Sequence, residues 1–324
     1  MAVPLTTNGL IESIKRKGSI PSSQETFKTQ DFIDLINEEM STYILPTVLK
    51  LHQEFYATTD ETEVVTSSRK RYKLPYRAVG NKLRDLHYRT VGGQLKQLVQ
   101  ISADDRSYND EYFYNYVYNQ FYLEGDEIVF VGIQVPEGQL VKSYYMRPNQ
   151  LVTEDRACVI TSIDRTTGIV MVANMPSIFA SGQVDFIGAK SPNTIKNFDI
   201  TPISADTETG TFIFDTTNHS TVPNMTFFDI PDSLQVGDYV MLAGETIVPQ
   251  LPAELIPVLT QRVTLKCLEA MGDTEAVTNC QKQLDKMEAN IPSLINNRVE
   301  GSPKKLVNRR SILRVGVQTR NRRF

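Results

Sequence analysis

Cysteine and histidine are scarce in this chain of 324 residues, with three of each. Cys158, Cys267 and Cys280 are odd in number and share no metal-ligand spacing, which argues against a disulfide framework or a zinc site. Free thiols in a reducing cytoplasm are expected. His52, His87 and His219 each stand apart from cysteine and from a second histidine, so packing or surface roles are expected for them. No apolar run approaches the roughly 18 residues that cross a bilayer. The opening Met1–Asn8 lacks the basic-then-apolar order of a secretion signal. Also missing are a Gly-x-x-x-x-Gly-Lys loop, a Gly-x-Gly-x-x-Gly turn opening a helix, and a Gly-x-Ser-x-Gly elbow. No nucleophile, acid–base pair or cofactor cradle emerges. The expectation is a protein that is no enzyme and binds neither cofactor nor metal. Asp104, Asp105, Asp110 and Glu111 gather carboxylates, the ligand type of hard cations, but without the glycine and alternate spacing of a calcium loop. A solvated loop is the reading there.

Charge, by contrast, is abundant and sorted. Residues 298–324 carry nine Lys or Arg against Glu300 alone, a formal +8. The chain as a whole is −4, so the preceding 297 residues stand near −12. A segment such as Gln318-Thr319-Arg320-Asn321-Arg322-Arg323 holds too little apolar material to build a core and reads as an arm ordered by a partner. Its sparse apolar residues, Leu306, Val307, Ile312 and Leu313, would serve as anchors between Lys304, Lys305, Arg309, Arg310 and Arg314. The shorter basic runs Lys15–Lys17 and Arg69–Arg71 read as solvated, with a mild dipole benefit for the first at a helix C-terminus.

Periodicity divides the rest. Leu10, Ile11 and Ile14 share a helical face ending at Gly18. A second helix is expected from Thr29 as N-cap, with Asp31 in its first turn and a stripe through Phe32, Ile33, Ile36, Met40 and Ile44. Pro46 should kink or break it. From Thr62 to Val248, short runs rich in Thr, Val, Tyr, Phe and Ile are cut by turn residues. Strands are expected at Glu127–Ile133, Gln139–Tyr145, Ala157–Ile163, Ile169–Ala173, Gln183–Ile187, Thr211–Phe214 and Tyr239–Leu242. The clearest hairpin spans Val159 to Val172 around an Asp…Gly turn. Helix returns with Leu255, Leu259, Val263 and Cys267; Gly272 should close it and Asp273 cap the next, in which Pro292 is a disturbance. The fold class expected is α+β: terminal helices forming a bundle, a large inserted antiparallel β-barrel or sandwich, and an extended C-terminal arm. The boundaries are 1–60 and 251–297 for the helical domain, 61–250 for the β domain, and 298–324 for the arm.

One aromatic segment stands out. In an extended strand Tyr112, Tyr114, Tyr116 and Tyr118 would share a face. Nucleic-acid platforms interleave aromatics with Lys or Arg, and no basic residue lies between Ser107 and Glu124. A protein–protein contact or a wall of the β core fits better.

Three stretches together resemble the head-to-tail adaptor (connector) proteins of tailed bacteriophages, in the form that carries a β-domain insertion in short-tailed phages. They are Leu10–Arg16 with Phe27–Glu39, Leu251–Asp273, and the tail from Asn297 to Lys305. The resemblance implies a structural virion protein in the head–tail neck, assembled in the host cytoplasm as a homo-oligomeric ring of twelve subunits. Its implied partners are the portal, gripped by the arm residues named above, and tail or nozzle proteins. Genomic DNA would pass through the lumen without sequence-specific binding, and no membrane is involved. The other readings are a different neck or tail-tube protein, or a nucleic-acid-binding module using the basic tail.

Overall fold

The computed structural model describes residues 6–21, 26–66, 69–102, 104, 120–131, 138–189, 195–217 and 228–295. Among the described residues the α-helices lie near the two ends of the chain: α1 (Thr7–Lys17), α2 (Thr29–Glu39), α3 (Leu45–Leu51), α4 (Ile256–Met271) and α5 (Thr274–Leu294). Strands fill the residues between, so the chain is mixed α+β.

Helix ends follow local chemistry, with small departures from expectation. Lys28, not Thr29, is the N-cap of α2, and its N–H donates to the Asp31 carboxylate at 2.7 Å. Gly18 follows α1 at φ −82°; the left-handed residue is Ser19. Space at 18 is tight, because a Cβ there would lie 3.1–3.3 Å from the Ile20 and Thr264 side chains. Before Pro46 the helix passes through a π-helical turn, Met40–Ile44, and Pro46 then sits in the first turn of α3, where its missing N–H leaves no bond unmade. Gly272 closes α4 at φ +77°, and the Asp273 side chain accepts the Ala276 N–H at 3.0 Å to open α5.

Early and late helices share one apolar core. Leu10, Ile14, Phe32, Ile33, Ile36 and Val48 from the first part of the chain meet Leu255, Leu259, Val263, Leu284 and Ile291 from the last. Each such side chain contributes roughly 1.5–3 kcal/mol on leaving water. Polar ties close the same junction. Thr7 donates both its N–H and its hydroxyl to the Ile247 carbonyl, at 2.9 and 3.2 Å. The Tyr56 hydroxyl donates to the Gln250 carbonyl at 2.8 Å. Lys17, expected as a solvated helix end, instead donates through Nζ to the Pro257 carbonyl and the Thr260 hydroxyl, at 3.0 and 2.6 Å.

The described strands form four sheets. The largest runs Ile195–Ile200, Val184–Ile187, Tyr239–Leu242, Cys158–Asp164, Ile169–Ala173, Thr211–Ile213, Ser204–Asp206. A second is ordered Ala57–Asp60, Gly138–Met146, Ala78–Thr90, Leu95–Gln97, with Val64–Val65 also on Gly138–Met146. It shares a core (Tyr72, Leu86, Tyr88, Phe121, Phe130, Leu140) with a third, Arg71–Lys73, Glu127–Val131, Gln120–Glu124, Val99–Gln100. The fourth is one pair, Gln150–Leu151 with Glu245–Thr246.

Of the two forms expected, barrel or sandwich, a closed barrel is not formed: among the described residues every sheet runs from one edge strand to another. The edges explain why. Ser204–Asp206 is short and polar, and Ile195–Ile200 carries Lys196, Asn197 and Asp199, groups that resist pairing with a further strand. Nor is pairing wholly antiparallel, since Gln150–Leu151 and Val99–Gln100 pair in parallel.

The hairpin read from Val159 to Val172 is present, with Val159 opposite Ala173 and Asp164 opposite Ile169. Asp164 accepts the Thr166 N–H and the Thr167 hydroxyl, at 2.9 and 2.7 Å, and these bonds hold its carboxyl below the usual range. Gly168 turns the chain at φ +73°, and a Cβ there would meet the Phe214 carbonyl oxygen at 2.3 Å. Gly168→Ala should therefore cost about 1–3 kcal/mol, read as a lower urea midpoint; an unchanged midpoint would show that the turn has room this geometry denies.

Candidate functional site

Two charged networks and one cleft are the chemically distinctive features of the described residues. The first network joins the early and late helices. Glu39, at the end of α2, is 2% exposed. It accepts a short bond from Arg262 Nε, and Lys266 Nζ lies 2.9 Å from its other oxygen. Arg262 also reaches Glu288 on α5 at 2.6 Å and stacks over the Tyr43 ring at 3.7 Å, while Lys266 reaches Glu38 at 2.8 Å. Burial alone would raise the Glu39 carboxyl; the bonds from Arg262 and Lys266 outweigh it and hold the group below its ordinary value. Burial, with Glu288 beside it, pushes the Tyr43 phenol up to about 12.

The second network is buried among the sheets. Arg77 and Asp185 are 5% and 0% exposed and form a two-pronged pair, both N–H···O distances 2.9 Å. Asp185 further accepts the Asn149 amide at 2.7 Å, the Asp199 N–H at 2.9 Å and the Gly244 N–H at 3.0 Å. Arg77 adds Asp199 at 2.6 Å, and the Tyr76 hydroxyl makes a short bond to that same carboxylate. Burial would lower the Arg77 guanidinium, but Asp185 overrides it and the net shift is upward. At Asp199 burial raises the carboxyl against the pull of Tyr76 and Arg77. Asp185 accepts from five donors, so this centre braces the sheets. The Asn149 N–H donates to Gln250 Oε1 at 2.7 Å, carrying the network to the approach of the late helices.

The cleft, about 680 Å³, lies where the sheet containing Gly138–Met146 faces Ile195–Ile200. Its lining includes Asp60, Glu61, Asp199, Asp215 and Asp229 and, among the described residues, no Lys or Arg. Gln139 also lines it, fully buried, and neither of its amide atoms has a hydrogen-bond partner among the described residues.

The sites expected from sequence fall largely elsewhere. Tyr112, Tyr114, Tyr116 and Tyr118, and the arm residues Lys304 to Arg314, lie outside the described residues. Of the four clustered acids only exposed Asp104 is described, and among the described residues no group of three His, Cys, Asp or Glu could hold a metal ion. All three cysteines are buried and free; burial pushes the Cys158 thiol to about 12 and Cys267 to about 11, so neither is a nucleophile at neutral pH. His52 is buried with its Nε2 unpartnered, and His87 is half-buried on Ala78–Thr90. The run Arg69–Arg71 is partly paired: Arg69 with Glu63, and Arg71 with Glu124 and Glu127, all at 2.8 Å. Among the described residues no helix is long and apolar enough to cross a membrane. No protein-family model matches the chain, and no curated protein matches it significantly.

Both networks have measurable signatures. Arg77→Ala leaves the buried Asp185 carboxylate without its countercharge and with three of its five donors, and should cost about 3–5 kcal/mol in urea unfolding; a loss under about 1 kcal/mol would mean water reaches the site. Glu39 is depressed in the folded state, so its contribution is full above the unfolded value near 4.3 and is lost as pH falls through its folded pKa. Glu39→Gln should therefore be clearly less stable than wild type at pH 7, with the gap closing as pH falls below the ordinary carboxylate range; a gap independent of pH would sink the assignment.

Proposed function

We propose that this chain is a structural subunit of a tailed-bacteriophage neck: a head-to-tail adaptor that sits in a ring between portal and tail and lines part of the DNA conduit. The observation that carries the reading is the shared core of early and late helices, tied by Glu39, Arg262, Lys266 and Glu288. An adaptor of this type needs one helical unit whose chain is interrupted by a β insertion, and whose last helix hands over to an arm. Here α5 ends at Leu294 and the cationic segment starts at Arg298.

In this reading the helices form the bundle that packs around a twelve-subunit ring, and the sheets reach toward tail or nozzle proteins. The arm grips the portal, with Lys304, Lys305, Arg309, Arg310 and Arg314 facing acidic groups and Leu306, Val307, Ile312 and Leu313 filling pockets. Ordering that arm costs on the order of 1–2 kcal/mol per residue, which contacts repeated around a ring would offset. The acidic body suits a lumen through which DNA slides, since like charge keeps phosphates from sticking. The braced polar centre at Arg77 and Asp185 fits a load-bearing part rather than a reactive one.

A chain ending at Gly301 should remain folded and soluble but no longer sediment with the portal. Full-length protein mixed with the portal should show an added ring beneath it by electron microscopy. Undiminished sedimentation of the shortened chain, or the absence of a ring, would reject the reading.

A further inference from the structure

The strand Ala57–Asp60 is a sheet edge whose outer side is open. The Leu140 N–H donates to the Glu63 carbonyl at 2.9 Å, so the even-numbered backbone groups of Gly138–Met146 face this edge. Thr58 and Asp60, opposite Tyr144 and Lys142, therefore use their N–H and C=O groups in the ladder. Those of Thr59, opposite Ser143, point the other way. The Ala57 N–H donates to the Glu54 carbonyl, which leaves the Ala57 C=O facing outward as well. Among the described residues nothing bonds the Ala57 carbonyl or the Thr59 N–H and carbonyl, and Thr59 is exposed. A carbonyl, an N–H and a carbonyl in that order are the groups an added strand pairs with.

The surroundings say what can lie there. The edge opens on the cleft at Thr59 and on a smaller pocket, about 150 Å³, at Ala57; Asn197 and Phe198 line both. Their strand, Ile195–Ile200, is a poor acceptor of a new strand. The Phe198 N–H bonds the Asn197 side chain, the Asp199 N–H bonds Asp185, and Asp199 sits at φ +57°. Main-chain pairing thus belongs to one wall and side-chain contact to the other. At the Ala57 end the lining joins apolar Phe55, Met146 and Ile195 to Arg147 and Lys196, with no acid among the described residues. Neither cation makes a side-chain ion pair or hydrogen bond among the described residues. Nearby carboxylates are engaged elsewhere: Glu61 with Arg89, Asp60 with the Thr62 hydroxyl and Asp199 with Arg77. An extended chain with a carboxylate beside an apolar residue satisfies both walls.

We propose that Ala57–Asp60 receives an extended acidic segment of another protein by strand addition. The segment's main chain pairs with the Ala57 carbonyl and with Thr59, and its Asp or Glu at the Ala57 end meets Arg147 and Lys196. The two cations set the sign of the partner, and the outward backbone groups set its extended form. This docking does not rest on the neck reading, since it concerns one sheet edge of one subunit.

The test uses the full chain. Random peptides of about eight residues, a common strand length, are displayed on phage and selected against it. Enriched sequences are synthesised with acetyl and amide ends, so that only side chains supply carboxylates. The expected family combines β-branched or aromatic residues with a shared Asp or Glu. N-methylation moved along the peptide one residue at a time should abolish binding at alternate positions, on unaltered protein, because a strand pairs through every second residue. Thr59→Pro removes the outward N–H while leaving the ladder, and should weaken binding about tenfold, since the peptide carbonyl is left unpaired. Thr59→Val keeps that N–H and should bind as wild type does. Arg147→Gln/Lys196→Gln should weaken binding about fivefold and abolish the preference for an acid. Equal binding to wild type and Thr59→Pro, N-methyl effects without alternation, or no enriched acidic family would each overturn the proposal. Self-association of the chain that Thr59→Pro abolishes would overturn it too, the occupant then being a second copy.

Discussion

Helices at opposite ends of the chain cannot bury their apolar faces until they meet, and the architecture hangs on that meeting. Leu51 ends the early set and Ile256 opens the later one, so everything between is a closed loop of chain. Closing a long loop costs little more than closing one half its length, because the penalty grows only with the logarithm of length. What matters is that the closing contacts be strong and specific. Apolar burial supplies the strength, through Phe32, Ile36, Leu259 and Val263. Specificity comes from geometry that only one pairing satisfies: Arg262 must reach Glu39, Glu288 and the Tyr43 ring at once. The Thr7–Ile247 and Tyr56–Gln250 bonds then fix the entrance and exit of the sheet region against the same core.

Inside the sheets, charge serves a different end. A buried ion pair is weak evidence of stability, because desolvation consumes most of the Coulombic gain. Arg77 and Asp185 are better understood as a registration device. The Asp185 carboxylate is satisfied only when Arg77, Asn149, Asp199 and Gly244 all arrive in position. Any slip of Val184–Ile187 by one residue would turn Asp185 to the opposite face and leave Arg77 buried alone. The penalty for the wrong register is larger than the benefit of the right one. That asymmetry is what makes a polar centre useful in a sheet whose edges are left open.

Local features are legible in the sequence. Asp273 beside Gly272 marked a helix boundary because capping depends on neighbours in sequence. Ile169–Ala173 and Tyr239–Leu242 were legible because β-branched and aromatic residues crowd together there. Ala78–Thr90, the longest strand described, was not, since Asn81, Lys82, Arg84, Asp85 and Arg89 hide its period under polar side chains. The charged partnerships were also invisible: Glu39 and Arg262, or Arg77 and Asp185, lie far apart in sequence, and nothing local to either names the other. Lys17 looked like a solvated helix end because its acceptors, Pro257 and Thr260, belong to a helix on the far side of the sheet region. Gln139 gave no signal at all. An amide becomes unusual only when burial and want of a partner coincide, and both are properties of the folded chain.

In the neck reading proposed above, an arm is useful only if the body it leaves is rigid. A cationic segment free in solution meets an acidic surface only as often as its bulk concentration allows. Tethered to a fixed point, it samples a small volume at an effective concentration that reaches the millimolar range for short flexible connections. Here the last helix supplies that point: Leu284 and Ile291 sit in the shared core, and Glu288 is held by Arg262. On the proposed neck reading, a repeated array of acidic sites on a docked partner would then suffice to order a segment of this charge. Charge sorting along the chain and the helical weld at its ends are, on this argument, two halves of one device: the weld fixes the origin, and the charge decides where the arm goes.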